Sequence, residues 1–89
     1  MMAAIRAGQL CQDVILVEKN PNLGEKLLLS GKGRCNLTNA CELESFILRF
    51  SKNGQFLRDS FGKFFNLDLM EFFEKRGLKL KVERQLRVF

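Results

Sequence analysis

The sequence predicts an α/β chain: a helix and a doubly covered strand, a glycine-rich loop, then a helical stretch closed by a half-exposed strand. Three observations predict it. Residues 13–18, Asp-Val-Ile-Leu-Val-Glu, form a β-branched, near-continuous apolar run ended by an acid, the pattern of a strand buried on both faces in a parallel sheet. From residue 42 onward the apolar positions follow the helical period. Between these two regions, residues 31–39 read Gly-Lys-Gly-Arg-Cys-Asn-Leu-Thr-Asn, and no apolar period runs through them.

Residues 1–7 are apolar helix formers, with Gly8 placed to stop the helix. No N-cap residue precedes them, so the helix is expected to begin upstream. Helix, short turn, buried strand and terminal acid make the second half of a βαβ dinucleotide-binding unit, in which the acid takes ribose hydroxyls. The fold class is therefore α/β, a partial Rossmann-like domain whose first strand and Gly-rich turn are expected before Met1. An acid at a strand end also serves solubility alone, and the residues leave both readings of Glu18 open. Residues 19–22 form a turn around Pro21, which keeps Asn20 out of the helical region. Residues 23–29 supply one or two helical turns that deliver the chain to the loop.

In the loop, Gly31 and Gly33 allow the backbone to approach a flat or anionic ligand without a Cβ in the way. Arg34 adds a planar, permanently charged fork. Asn36 and Asn39 can each donate and accept, as recognition of a heterocycle edge requires. A plain glycine turn beside an arginine fits the same residues. A phosphate-binding P-loop does not: Lys26 stands where its first glycine belongs, and Gly33 where a Ser or Thr would hold magnesium.

Leu43, Phe46, Ile47 and Phe50 fall on one helical stripe. Residues 53–65 suggest a second helix, with Gly54 near its start and Gly62 weakening its end. Asn66 is placed to N-cap a third over residues 67–76, with Leu69, Met70, Phe72 and Phe73 inward, Glu71 and Lys75 paired outside, and Gly77 as its stop. The phenylalanine stripes are assigned to core. Residues 78–83 alternate strictly, a half-exposed strand whose outward lysines protect a sheet edge. Residues 84–89 read as a turn and the start of a further strand. Both ends of the chain read as cut. Residues 1–41 form the partial dinucleotide-binding segment with its loop, and residues 42–89 continue the same domain.

Composition narrows the function. Eighty-nine residues make one small domain, and 46% hydrophobic residues with nine phenylalanines mark it as globular. The formal charge of +5 comes from 15 basic and 10 acidic residues, which a solvated basic surface explains and nucleic-acid binding also fits. Three cysteines, no histidine and no Cys-x-x-Cys pair support neither a zinc site nor a disulfide framework. A reducing cytoplasm suits them, and the Asn36-Leu37-Thr38 glycosylation pattern is read as coincidence. No apolar run is long enough to span a bilayer, and no signal peptide is visible.

Taken together, Met1-Met2-Ala3-Ala4-Ile5, Val17-Glu18-Lys19-Asn20 and the run from Leu23 through Ser30-Gly31-Lys32-Gly33-Arg34-Cys35-Asn36-Leu37-Thr38-Asn39 resemble the HI0933-like, or BaiN-like, family of NAD(P)/FAD-dependent flavoproteins. The resemblance extends through Asn53-Gly54-Gln55-Phe56-Leu57 to Arg87-Val88-Phe89 and covers essentially the whole chain. Family members are several times longer, so the resemblance implies an N-terminal segment of one, with the remainder of the FAD domain as its structural partner. It implies that Glu18 binds the adenosine ribose of FAD and that Lys19 and Lys26 flank the adenine and pyrophosphate. It places Ser30, Gly31, Gly33, Arg34, Cys35 and Asn36 along the pyrophosphate, ribityl and flavin. Cys35 stands where the family keeps a cysteine near the flavin; with no histidine to activate it, it reads as a small packing residue. Lys32 departs from the family's usual glycine.

By resemblance, NAD(P)H would reduce FAD, and FAD would reduce a double bond in a small-molecule or nucleobase substrate that the resemblance leaves open. No catalytic acid or base can be named. Two alternatives stand beside this reading. One is a small basic module binding nucleic acid through Lys79, Lys81, Arg84 and Arg87, and the other is a truncated remnant without function. No membrane partner is expected.

Overall fold

The computed structural model describes residues 1–10, 13–29 and 34–89. They form two compact units, Met1–Cys35 and Asn36–Phe89.

In the first unit, helix α1 spans Met2–Leu10 and helix α2 spans Glu25–Leu28. The expected stop at Gly8 is not used, and α1 runs through it. A glycine inside a helix costs only about 1 kcal/mol, and Gly8 has open space around it rather than a left-handed turn. Residues 13–18 form no helix and join no strand ladder among the described residues. Their exposure alternates, with Val14 and Leu16 at 40% and 48% and Ile15 and Val17 at 89% and 85%. This corrects the expectation of a doubly buried strand. The apolar run has the composition of one, but burial on both faces comes from flanking elements, and no described residue pairs with it. The turn at Pro21 and the helical step over residues 25–28 are as expected.

The second unit is built on a small sheet. Strand β1, Thr38–Asn39, pairs antiparallel with β2, Arg87–Val88, with Thr38 opposite Val88 and Asn39 opposite Arg87. The Leu37 amide donates to the Val88 carbonyl and the Ala40 amide to the Leu86 carbonyl, both at 2.8 Å. On the other side of β2, Lys81 and Phe89 exchange both backbone bonds, and the Glu83 amide donates to the Arg87 carbonyl at 2.8 Å. Val88 is thereby enclosed from both sides and is fully buried. The expected strand over residues 78–83 shrinks to this pairing, with one bridge from Val82 to Val88. A tight 3₁₀ turn, Arg84–Leu86, joins the two arms, and Gln85 and Leu86 take positive φ there. Such conformations cost on the order of 1–3 kcal/mol each for residues other than glycine.

Helices α3 (Leu43–Leu48), α4 (Arg58–Lys63) and α5 (Asn66–Glu74) pack beside this sheet, with a 3₁₀ segment over Ser51–Leu57 leading into α4. The single helix expected over residues 53–65 is therefore two pieces. The break serves packing: Gly54 is buried directly against the Ile47 carbonyl, an approach only a residue without a Cβ can make. The assignment of the phenylalanine stripes to core holds only in part: Phe46, Phe61 and Phe65 form a half-buried ring cluster, whereas Phe50, Phe64 and Phe56 are 45%, 42% and 88% exposed. Phe46 is the hub of the cluster, with ring centroids 5.1 Å from Phe65, 5.4 Å from Phe61 and 5.6 Å from Phe50. The first two are edge-to-face contacts, the geometry the ring quadrupole favours. Next to Phe46 in α3, Ile47 is only 2% exposed.

Gly77 ends α5 as its sequence position predicts. Its φ is 85°, its amide donates to the Glu74 carbonyl, and the Leu78 amide reaches back to the Phe73 carbonyl at 3.1 Å, the paired bonds of a Schellman stop. Glu71 and Lys75 form the expected outer pair at 2.7 Å. Arg58 grips Glu44 with both terminal guanidinium nitrogens, at 2.7 and 2.8 Å. That hydrogen bonding, with the charge of Arg58, holds the Glu44 carboxyl below the usual carboxylate range. Both side chains are solvated, so the pair fixes geometry between α3 and α4 more than it adds stability.

Candidate functional site

The apolar run ends in Glu18, but the buried strand expected to present that acid is not formed among the described residues. Glu18 is exposed, and its Oε1 accepts the Asn20 amide at 3.0 Å, a contact that shapes the turn before Pro21. Lys19 follows it in the turn, and Lys26 stands on α2, both exposed. Arg34 and Cys35 are exposed at the end of the first unit, and Cys35 is a free thiol. Ser30, Gly31 and Gly33, with Lys32, lie outside the described residues.

The donor set fits a dinucleotide chemically. Glu18 is an acceptor-only carboxylate suited to a ribose diol, and Lys19, Lys26 and Arg34 are cations suited to a diphosphate. No hydrogen bond or ion pair joins Glu18, Lys19 and Lys26 to one another among the described residues.

Asn36 opens the second unit, where the motif's asparagines hydrogen-bond to the backbone. With its carboxamide nitrogen turned inward, Asn36 donates to the Thr38 and Val88 carbonyls at 2.9 and 3.1 Å. Asn39 donates to the Gln85 carbonyl at 2.7 Å and accepts the Cys41 amide at 3.1 Å. It thus holds the strained turn between the sheet arms and starts an Asx turn of its own. Asn66 completes the network. It is 4% exposed and donates to the Asn39 and Cys41 carbonyls at 2.8 and 2.7 Å. The N-cap role expected of Asn66 passes in part to Asp68, whose carboxylate accepts the Phe65 amide at 2.8 Å. Asn39 is therefore a framework residue rather than a reader of a heterocycle edge.

Residues Asn36–Asn39 also form one wall of an open cleft of about 390 Å3 in the second unit. Phe46, Arg49, Phe50, Gln85 and Arg87 line it as well. Sequence reasoning passed over Arg49, although it lies three residues beyond Phe46 on the same helical stripe. Among the described residues no group of three metal-ligating side chains is present, and no helix is long and apolar enough to cross a membrane.

The family model of the HI0933-like protein Rossmann domain matches residues 1–89, the whole chain. The chain belongs to the HI0933-like family. Within it, the chain is 32% identical over 78 residues to the ribosomal RNA dihydrouridine synthase of Escherichia coli (strain K12), covering 88% of this chain and 19% of that protein. It is 35% identical over 83 residues to the 3-dehydro-bile acid delta(4,6)-reductase of Clostridium scindens, covering 91% of this chain and 20% of that protein. The HI0933-like segment thus spans about a fifth of the length of these curated relatives. No solved structure matches it.

Proposed function

We propose that these 89 residues are a segment of a FAD-dependent oxidoreductase, contributing the adenosine-ribose acid and the Gly-x-Gly-Arg-Cys-Asn loop. The observation that carries this reading is the HI0933-like Rossmann match along the entire chain. The names of the two relatives add to it, since making dihydrouridine and reducing a delta(4,6) bile acid are both saturations of carbon–carbon double bonds.

In this reading Glu18 accepts hydrogen bonds from the adenosine ribose, and Lys19 and Lys26 balance charge along the adenine and pyrophosphate. The segment of Ser30, Gly31, Gly33, Arg34, Cys35 and Asn36 runs along the pyrophosphate and flavin. FAD, when bound, supplies the acceptance of hydride from NAD(P)H and its delivery to an unsaturated substrate. The protein's part is to hold and orient. The substrate is a small molecule or a nucleobase, and the cytoplasm is the compartment that free thiols suit.

The 89-residue chain alone is expected to hold FAD weakly. Ile15 and Val17 stand exposed on a run that should be covered, and a ribose acid on an unpaired backbone is poorly preorganised. Titration calorimetry with FAD should show binding that is lost on gel filtration and weakens further in Glu18→Ala. A chain that elutes yellow would contradict this expectation.

Salt separates the nucleic-acid alternative. Binding by phosphate neutralisation should fall steeply from low to moderate salt, whereas flavin binding should change little. Two of that alternative's cations are partly engaged: Lys81 lies 3.4 Å from the Glu83 carboxylate, and Arg87 Nε donates to the Arg84 carbonyl.

A further inference from the structure

The cleft on the Asn36–Phe89 unit has a volume of about 390 Å3, within the roughly 300–1,000 Å3 range of small-molecule sites. Its wall combines two kinds of group that rarely meet without a reason. Phe46 and Phe50 present ring surface, and Phe50 is 45% exposed despite its place on the apolar stripe. Beside them stand Arg49, which follows α3, and Arg87, which comes from β2. Arg49 makes no side-chain hydrogen bond or ion pair among the described residues. Arg87 has no carboxylate partner among them; its Nε donates to the Arg84 carbonyl at 3.3 Å, and its guanidinium lies 5.7 Å from the Phe89 ring centre.

A cation after α3 also eases that helix's last carbonyls. That does not account for a second arginine lining the same cleft from the sheet. Two arginines without carboxylate partners among the described residues, lining one concavity with the exposed Phe50 ring and part of Phe46, are complementary to a flat molecule with an anionic group.

We propose that this cleft binds a small organic anion, its planar or apolar body against Phe46 and Phe50 and its phosphate or carboxylate held by Arg49 and Arg87. As the substrate's site it rests on the oxidoreductase reading above; as a binding site it does not. It also sharpens that reading, because the substrate then carries a negative charge as well as a reducible double bond.

The test is a calorimetric titration of the 89-residue chain with two matched pairs of probes. Uridine 5′-monophosphate against uridine reports phosphate, and 2-naphthoate against 2-naphthamide reports carboxylate. At least one charged probe should bind about tenfold more tightly than its neutral partner. Arg49→Gln, Arg87→Gln and the charge-keeping Arg87→Lys should each lower that affinity about fivefold, because a fork is lost in every case. Lys79→Gln, outside the cleft wall, should leave it within about twofold. Circular dichroism checks the fold, and Arg49→Lys carries the test should a change at Arg87 disturb β2.

Equal binding of charged and neutral probes would overturn the proposal, as would an equal loss in Lys79→Gln. So would a single-stranded oligonucleotide that binds far more tightly than any small probe and loses affinity evenly with each cation removed. FAD titrated into the same samples keeps the two readings apart. Glu18→Ala should weaken FAD without touching the anion, and failure of either leaves the other result standing.

Discussion

Asn66→Asp is expected to cost the Asn36–Phe89 unit about 4 kcal/mol at neutral pH, close to the whole stability of a domain this small. Asn66 is 4% exposed, and its amide nitrogen serves two carbonyls, those of Asn39 and Cys41. A carboxylate cannot donate to either, so two acceptors lose their partner while a charge is buried against them. Asn66→Ala removes the donor without adding the charge and should cost about 2 kcal/mol.

The pH dependence has a fixed sign. Burial and the facing carbonyls raise the pKa of the new acid in the folded state, so the penalty is greatest above that pKa. It shrinks as pH falls toward the unfolded value of about 4, because the protonated carboxyl can donate one bond again. Urea unfolding followed by far-ultraviolet circular dichroism measures this, since the chain has no Trp or Tyr for fluorescence. An aspartate variant within about 1 kcal/mol of the parent at neutral pH would remove Asn66 from the centre of the unit.

Gly54→Ala should cost about 2–3 kcal/mol, through overpacking against backbone. A Cβ at Gly54 would run into the Ile47 carbonyl and stand 3.0 Å from Ile47 Cγ2. The carbonyl cannot swing aside without disturbing α3 and the ring cluster it carries. Gly62→Ala is the matched comparison. Gly62 lies in α4, and a methyl added there would meet nothing within 4 Å. The change should stabilise by about 0.5–1 kcal/mol, the ordinary helix preference of Ala over Gly. Urea unfolding of the two variants should therefore shift in opposite directions. Similar effects at both would mean that Gly54 does not pack as described.

Elements set by local chemistry were legible in the sequence. Leu43, Phe46 and Ile47 lie in a helix that stops short of Phe50, Glu71 pairs with Lys75, and Gly77 takes the positive φ that stops α5. Features set by distant partners were not. The run at residues 13–18 has the composition of a buried strand, but composition does not supply the neighbour that buries it. Residues 78–83 alternate cleanly, yet the ladder they join extends only as far as the short arm at residues 87–89 allows. Gly54 reads as an ordinary residue near a helix start because the carbonyl it packs on, at Ile47, belongs to the preceding helix. Asn39 reads as a ligand contact for a similar reason: the carbonyl it serves, at Gln85, lies at the far end of the chain. The cleft arginines were half visible. Arg87 stood out as a basic residue, but its meeting with Arg49 and Phe50 depends on the sheet register.

The family was legible because its motif is a contiguous run, and the match over residues 1–89 agrees with it. The roles of Glu18 and Arg34 in holding FAD call for direct measurement. The protein should be purified from its native gene, with whatever coding sequence surrounds these residues, and its bound flavin released and quantified. The account predicts FAD, rather than FMN, in near-equal amount to protein, and a marked loss of it in Glu18→Ala. A colourless protein, or one whose flavin is indifferent to Glu18→Ala, would contradict the account.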